Sequence, residues 1–138
     1  MRGKLRALVL VAAGLRASTM LAGDAFDGRT MGKACDEYVA GLDTASPAKP
    51  PGSYASGTCA GFVGGAIAAH ALDVAVARAR SGSASSRICV PEKASLTDEV
   101  RVFCTFLKAH PSNLDEPGVE LLYAALLEAW PCPERPAR

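Results

Sequence analysis

The chain has 138 residues, 49% of them hydrophobic and 21% charged, and 15 Lys and Arg against 14 Asp and Glu give a formal net charge of +1. This length suits one domain with a modest core. The charges are mixed and form no basic face, which argues against a nucleic-acid partner.

The chain opens with the basic MRGKLR, then the apolar run ALVLVAAGL, then small residues around Ala22, Gly23 and Ala25. That layout is a secretory signal peptide; a membrane span would need roughly 18 or more apolar residues. Arg16 interrupts the run early and no Ala-x-Ala box follows, so cleavage falls anywhere between about Ala22 and Ala25. An uncleaved amphipathic or disordered N-terminus is the other reading. The expected division is a signal peptide over 1–23 and a single helical domain over 24–138. Cleavage before Asp24 removes Arg2, Lys4, Arg6 and Arg16 and takes the formal charge from +1 to −3.

Thiols outside the cytosol oxidise, so Cys35, Cys59, Cys89, Cys104 and Cys132 read as a disulfide framework with one cysteine left over. Zinc sites use closely paired ligands. Here no two cysteines stand closer than fifteen positions, and His70 and His110 are isolated, so no metal site is expected.

The first helix is expected from Arg29 to about Gly41, with Met31, Cys35, Tyr38 and Val39 on one side and Gly41 ending it in the left-handed conformation. Ser46, Pro47, Pro50, Pro51, Gly52 and Ser53 then make a loop. The next segment, CAGFVGGAIAAHALDVAVARAR, residues 59–80, is the longest periodic run. Phe62, Ala66 and Ala69, with Val63, Ile67, His70 and Val74, line adjoining ridges of one helix. Gly61, Gly64 and Gly65 each cost on the order of 1 kcal/mol against alanine, and a close backbone neighbour would offset that. This helix is therefore expected to be central and buried. A membrane span is rejected on length, because about eleven apolar or small residues precede His70.

Residues 81–88, SGSASSRI, read as a loose polar linker. SLTDEVRVFCTFLKAHP then restarts a helix, with Ser95 and Asp98 at capping-box spacing and Pro111 as the stop. Its stripe is Leu96, Val100, Phe103 and Leu107, widened by Val102 and Phe106, while His110 satisfies the last carbonyls. Asn113 or Asp115 caps a last helix, Pro117 lies in its first turn, and Val119, Leu122, Leu126 and Trp130 form its apolar face. Pro131 ends it and turns Cys132 off the axis. No segment alternates with period two, so the expected fold is all-α, a small disulfide-braced bundle of about four helices.

Two bridges among five cysteines can be drawn in 15 ways, and sequence alone does not choose. Antiparallel neighbouring helices would bring Cys35 beside Cys59 and Cys89 beside Cys132, leaving Cys104 unpaired on its helix face. Cys104 and His110, six apart, would project from different sides of the helix end, without a third group or an oxyanion motif. No catalytic residue and no cofactor are expected.

CDEYVAG at Cys35, CAGFVGG at Cys59 and the run from Cys89 to the terminal AWPC resemble the Tai and Rap immunity proteins of type VI secretion. The resemblance implies a helical protein exported to the periplasm, often a homodimer, that binds a peptidoglycan amidase and occludes the cleft holding its cysteine and histidine. The proline-rich 47–53 loop, Cys104 and the SGSASSR linker depart from the family pattern and leave the cognate enzyme open. The alternative is a solitary exported helical domain with a structural or adaptor role. An inhibitor should present a rigid protruding segment, and the candidate is KAHPSNLDEPG, residues 108–118. Its candidate partner-binding residues are Lys108, His110, Ser112, Asn113, Asp115 and Glu116.

Overall fold

Four helices carry the apolar periodicities in a computed structural model that describes residues 26–44, 52–83 and 85–133. They are α1 (Gly28–Thr44), α2 (Tyr54–Ser81), α3 (Leu96–Ala109) and α4 (Gly118–Ala129), with a 3₁₀ turn at Pro111–Asn113 between the last two. The chain is all-α, with no strand among the described residues. The expected signal peptide and the prolines of the first interhelical loop lie outside the described residues.

In α1, the Asp27 carboxylate accepts from the Thr30 N–H at 2.7 Å, satisfying one of the donors that a helix start leaves over. That bond holds the Asp27 carboxyl below its usual range. Met31, Ala34 and Cys35 are buried and Tyr38 and Val39 pack against them, the face expected from their spacing. The helix does not stop at Gly41. It runs on to Thr44, and Gly82 is the residue with positive φ among those described. Glycine permits the left-handed conformation without imposing it.

α2 starts five residues before Cys59, because Ser53 caps it: its hydroxyl accepts from the Ser56 N–H at 3.0 Å. Gly82, at φ 71°, closes it by donating its N–H to the Arg78 carbonyl at 2.9 Å. The expectation of a buried central helix fails. Only Ser56, Cys59 and Val63 are buried in α2. The reason is length: 28 residues span roughly 42 Å, whereas α3 and α4, with 14 and 12, span roughly 21 and 18 Å and cover only its first half. Of the three glycines only Gly64 admits a neighbour, the Leu96 side chain, whose Cδ1 a Cβ there would meet at 3.4 Å; a Cβ at Gly61 or Gly65 would meet nothing within 4 Å. The length argument against a membrane span also fails for the helix as observed, which is long and apolar enough by composition. Its N-terminal half is nevertheless locked into the bundle through Cys59.

The predicted capping box opens α3, with the Ser95 N–H donating to Asp98 Oδ2 at 2.8 Å and the Asp98 N–H to Ser95 Oγ at 3.3 Å. Val100, Phe103, Cys104 and Leu107 are buried, while Leu96 lies exposed at the helix start. Neither Asn113 nor Asp115 caps α4. Asn113 belongs to the 3₁₀ turn, Asp115 pairs with Arg29, and Pro117 precedes the helix without a side-chain cap. The buried face of α4 is Leu121, Leu122, Ala125 and Leu126; Val119 is exposed and Trp130 half-buried. The Phe26, Phe62 and Phe103 rings stack in a row from the surface into the core, at 5.8 and 6.2 Å between centroids.

Cys35 joins Cys59 across α1 and α2, with Cα atoms 5.1 Å apart, and Cys89 joins Cys132, 4.9 Å apart. The second bridge lies beside a short antiparallel backbone pairing, in which the Cys89 N–H donates to Trp130 O and the Cys132 N–H to Arg87 O. The 81–88 segment is tied down at its end. Ser86 Oγ lies 2.9 Å from His70 Nε2 and donates to Ile88 O at 2.7 Å.

Close backbone approach occurs at Gly118, where a Cβ would collide with the Phe26 carbonyl oxygen and crowd Met31 Cγ at 3.1 Å. Gly118→Ala is therefore expected to destabilise the oxidised 24–138 domain by about 1–3 kcal/mol in urea denaturation. Gly57→Ala, where a Cβ meets nothing within 4 Å, is expected to stabilise it by about 0.5–1 kcal/mol.

Candidate functional site

The 108–118 segment begins where α3 runs out. The His110 Nδ1–H donates to the Phe106 carbonyl at 2.9 Å and its ring stacks on Phe106 at 4.1 Å, so this histidine finishes the helix as expected. Pro111 bars further α-helix and the chain enters the 3₁₀ turn, where the Asn113 N–H donates to the His110 carbonyl at 3.1 Å and the Glu116 N–H to Asn113 O at 2.9 Å. Ser112 Oγ donates to Asn113 Oδ1 at 2.8 Å.

The carbonyls of this turn are used by a distant part of the chain. The N–H groups of Gly28 and Arg29, at the start of α1, donate to Glu116 O at 3.1 Å and Leu114 O at 2.9 Å. A helix N-terminus and a connecting turn thus satisfy each other. Two exposed ion pairs flank the seam, Arg29 with Asp115 at 2.6 Å and Lys108 with Asp36 at 2.8 Å. The Asp36 carboxylate raises the Lys108 ammonium above its ordinary range. Both pairs are open to solvent, which screens them, so they orient side chains more than they stabilise the fold.

Between the two pairs lies a groove of about 260 Å³ separating α1 from α3. Its apolar lining is Gly28, Gly32, Cys104, Leu107, Pro111 and Leu114, and Arg29, Lys33, Asp36 and Lys108 stand around it. Of the six candidate partner-binding residues, Lys108, Ser112, Asp115 and Glu116 are exposed, and His110 and Asn113 are half-buried. Lys108 and Asp115 are drawn to the groove through their α1 partners. The α1 contribution escaped the sequence reading. Its signal was present as Arg29, Lys33 and Asp36 at spacings of four and three, a charged row beside the buried stripe.

Cys104 is the free cysteine among the described residues, buried at the back of this groove with Sγ 4.0 Å from Asp36 Oδ1. Burial, reinforced by the Asp36 charge, pushes its thiol up to about 11, which keeps it protonated at neutral pH. Its polar neighbour is thus an acid, while His110 is engaged with Phe106. Among the described residues no group of three or more His, Cys, Asp or Glu side chains is placed to hold a metal ion.

A small all-α bundle, braced by two disulfides and presenting a backbone-anchored charged turn beside a shallow groove, is the class of protein these observations define. The chain belongs to the Rap1a immunity protein family, whose model matches residues 12–132. It is thus an immunity protein, and membership of that family implies a cognate effector protein as its partner. No curated protein and no solved structure matches the chain.

The Cys104 environment sets a chemical expectation. With the thiol pushed from 9.0 up to about 11, its thiolate fraction at pH 8 falls roughly 90-fold, and alkylation of the native protein should be slower by about that factor or more than that of a free cysteine. Denaturation without reductant should release one fast-reacting thiol, which mass spectrometry would assign to Cys104.

Proposed function

We propose that this chain is exported through the 1–23 signal peptide and works in the periplasm, where it binds a type VI secretion peptidoglycan amidase and covers its active-site cleft with the 108–118 turn. The observation that carries this reading is the union of exposure and rigidity in that turn. Ser112, Asp115 and Glu116 face solvent, yet the backbone on either side of Asp115 is bonded to the start of α1. A segment held in its binding geometry before contact loses little conformational entropy on binding, the requirement for a tight inhibitor. Its mechanism is steric, with no bond made or broken by the immunity protein.

The exposed face of α2 supports a homodimer within this reading. Gly61, Gly65, Ala68, Leu72, Ala75 and Ala79 follow one another along a single stripe of the helix, and Leu72 is 63% exposed. Two antiparallel copies related by a two-fold level with residue 70 would set Leu72 over Ala68 of the other copy, Ala75 over Gly65 and Ala79 over Gly61. Bulky positions in one half thus meet bare ones in the other, the self-complementarity that an isologous interface requires.

Two measurements test these readings. An amidase encoded beside this gene and directed to the periplasm should lyse cells that lack this protein and spare cells that express it. Protection should disappear when residues 1–23 are deleted and fall sharply with Asp115→Lys and Glu116→Lys together; failure to protect against a demonstrably lytic neighbour would refute the immunity reading. Separately, light scattering on the 24–138 domain should give twice the chain mass, and Leu72→Asp should return it to one chain. A wild-type monomer at micromolar concentration would rule out the α2 pairing.

A further inference from the structure

Resting on the reading that the 108–118 turn faces the effector, we propose that the groove between α1 and α3 receives one apolar side chain of the bound effector, with an effector carboxylate seated beside it against Lys33.

Size argues for a side chain. The groove's volume of about 260 Å³ lies below the ~300–1,000 Å³ of sites that enclose a small molecule, while a single anchoring side chain of a protein partner needs less. Its depth comes from an omission on α1. Gly32 leaves the wall bare, and a Cβ there would meet only Leu107 Cδ1, at 3.9 Å, so a larger residue at this position would grow into the space. The back of the groove, Cys104 and Leu107, is buried and apolar and offers an incoming group dispersion contacts in place of a hydrogen bond.

Charge selects the neighbour of that side chain. Arg29, Lys33 and Lys108 stand around the groove against Asp36. Arg29 and Lys108 are already engaged by Asp115 and Asp36, whereas Lys33 has no ion-pair partner among the described residues. An effector basic at this point would meet an excess of positive charge, and an acidic one would find Lys33 available. The groove adjoins the turn through Pro111 and Leu114, so a partner seated on the turn reaches it without a second docking event.

The test measures binding of the neighbouring amidase, its catalytic cysteine changed to alanine, to the oxidised 24–138 domain and to two variants. Gly32→Leu fills the groove and should weaken binding roughly 30-fold or more, the loss typical of an anchor pocket. Lys33→Glu, on an exposed position, should weaken it about 10-fold and flatten its dependence on salt, while Lys33→Arg retains both. Circular dichroism and thermal melting identify a variant that has lost its fold, and Lys33→Glu carries the test should Gly32→Leu be one. Wild-type protein that binds while both folded variants bind equally well overturns the groove and leaves the immunity reading standing. Wild-type protein that does not bind the amidase removes that reading, and the groove with it.

Discussion

The N–H groups that open α1 have no acceptors within their own helix, and the chain between α3 and α4 supplies them. Leu114 O and Glu116 O take the N–H groups of Arg29 and Gly28, and much of the local architecture follows from that exchange. Two backbones this close leave no room for side chains where they cross. Gly118 passes beneath the Phe26 carbonyl, and a Cβ at Gly28 would lie 3.0 Å from the Leu114 Cα. The same contact brings Arg29 to Asp115 across 86 residues of sequence, beside the groove between α1 and α3. The charged turn is therefore a rigid feature of the bundle despite lying outside any α-helix.

The rest of the bundle is small, and covalent bonds compensate. Phe103, Met31, Leu121, Leu122 and Leu126 are its largest fully buried side chains, together with Val63 and Val100. The bridges close spans of 24 and 43 residues, which on the chain-entropy estimate contribute about 3.5 and 4 kcal/mol. That is a large share of the ~5–15 kcal/mol typical of a domain. Their placement is complementary. Cys35–Cys59 pins α1 to the covered half of α2, and Cys89–Cys132 holds together the two ends of the α3–α4 hairpin, where the helices themselves supply few buried residues.

What was legible in the sequence was whatever depends on local spacing. Helical period, the Ser95 and Asp98 box, the stop at Pro111 and the role of His110 as a helix finisher are all properties of residues within about four positions of one another. The errors share a different cause. The burial expected for α2 rests on its glycines, but small residues only permit a close approach, and the lengths of α3 and α4 decide how much of the helix is covered. Its early start was hidden because Ser53 follows prolines and a glycine, a context that reads as loop. Asn113 and Asp115 are good capping residues locally, yet one serves a 3₁₀ turn and the other an arginine on α1. The candidate site divides in the same way. The turn was visible as a segment between His-Pro and Pro-Gly, whereas the α1 wall of the groove was not, because nothing in the sequence near Lys33 announces that residue 108 will stand beside it.

The residues that hold this fold and the residues that meet solvent are largely separate. Residues that hold the bundle together, namely the disulfides, the Phe103 cluster and the backbone seam at Gly28 and Gly118, are buried or covalent, and few substitutions are tolerated there. The residues that meet solvent around the turn and groove, Arg29, Lys33, Asp36, Lys108, Asp115 and Glu116, contribute little to stability because their charges are screened and their pairs exposed. Charge at the rim can be reversed and the turn redecorated at small cost to the fold, while, under the proposed function, each such change alters which surface docks. A turn anchored by backbone atoms suits this arrangement well, since backbone hydrogen bonds place its side chains without depending on their identity.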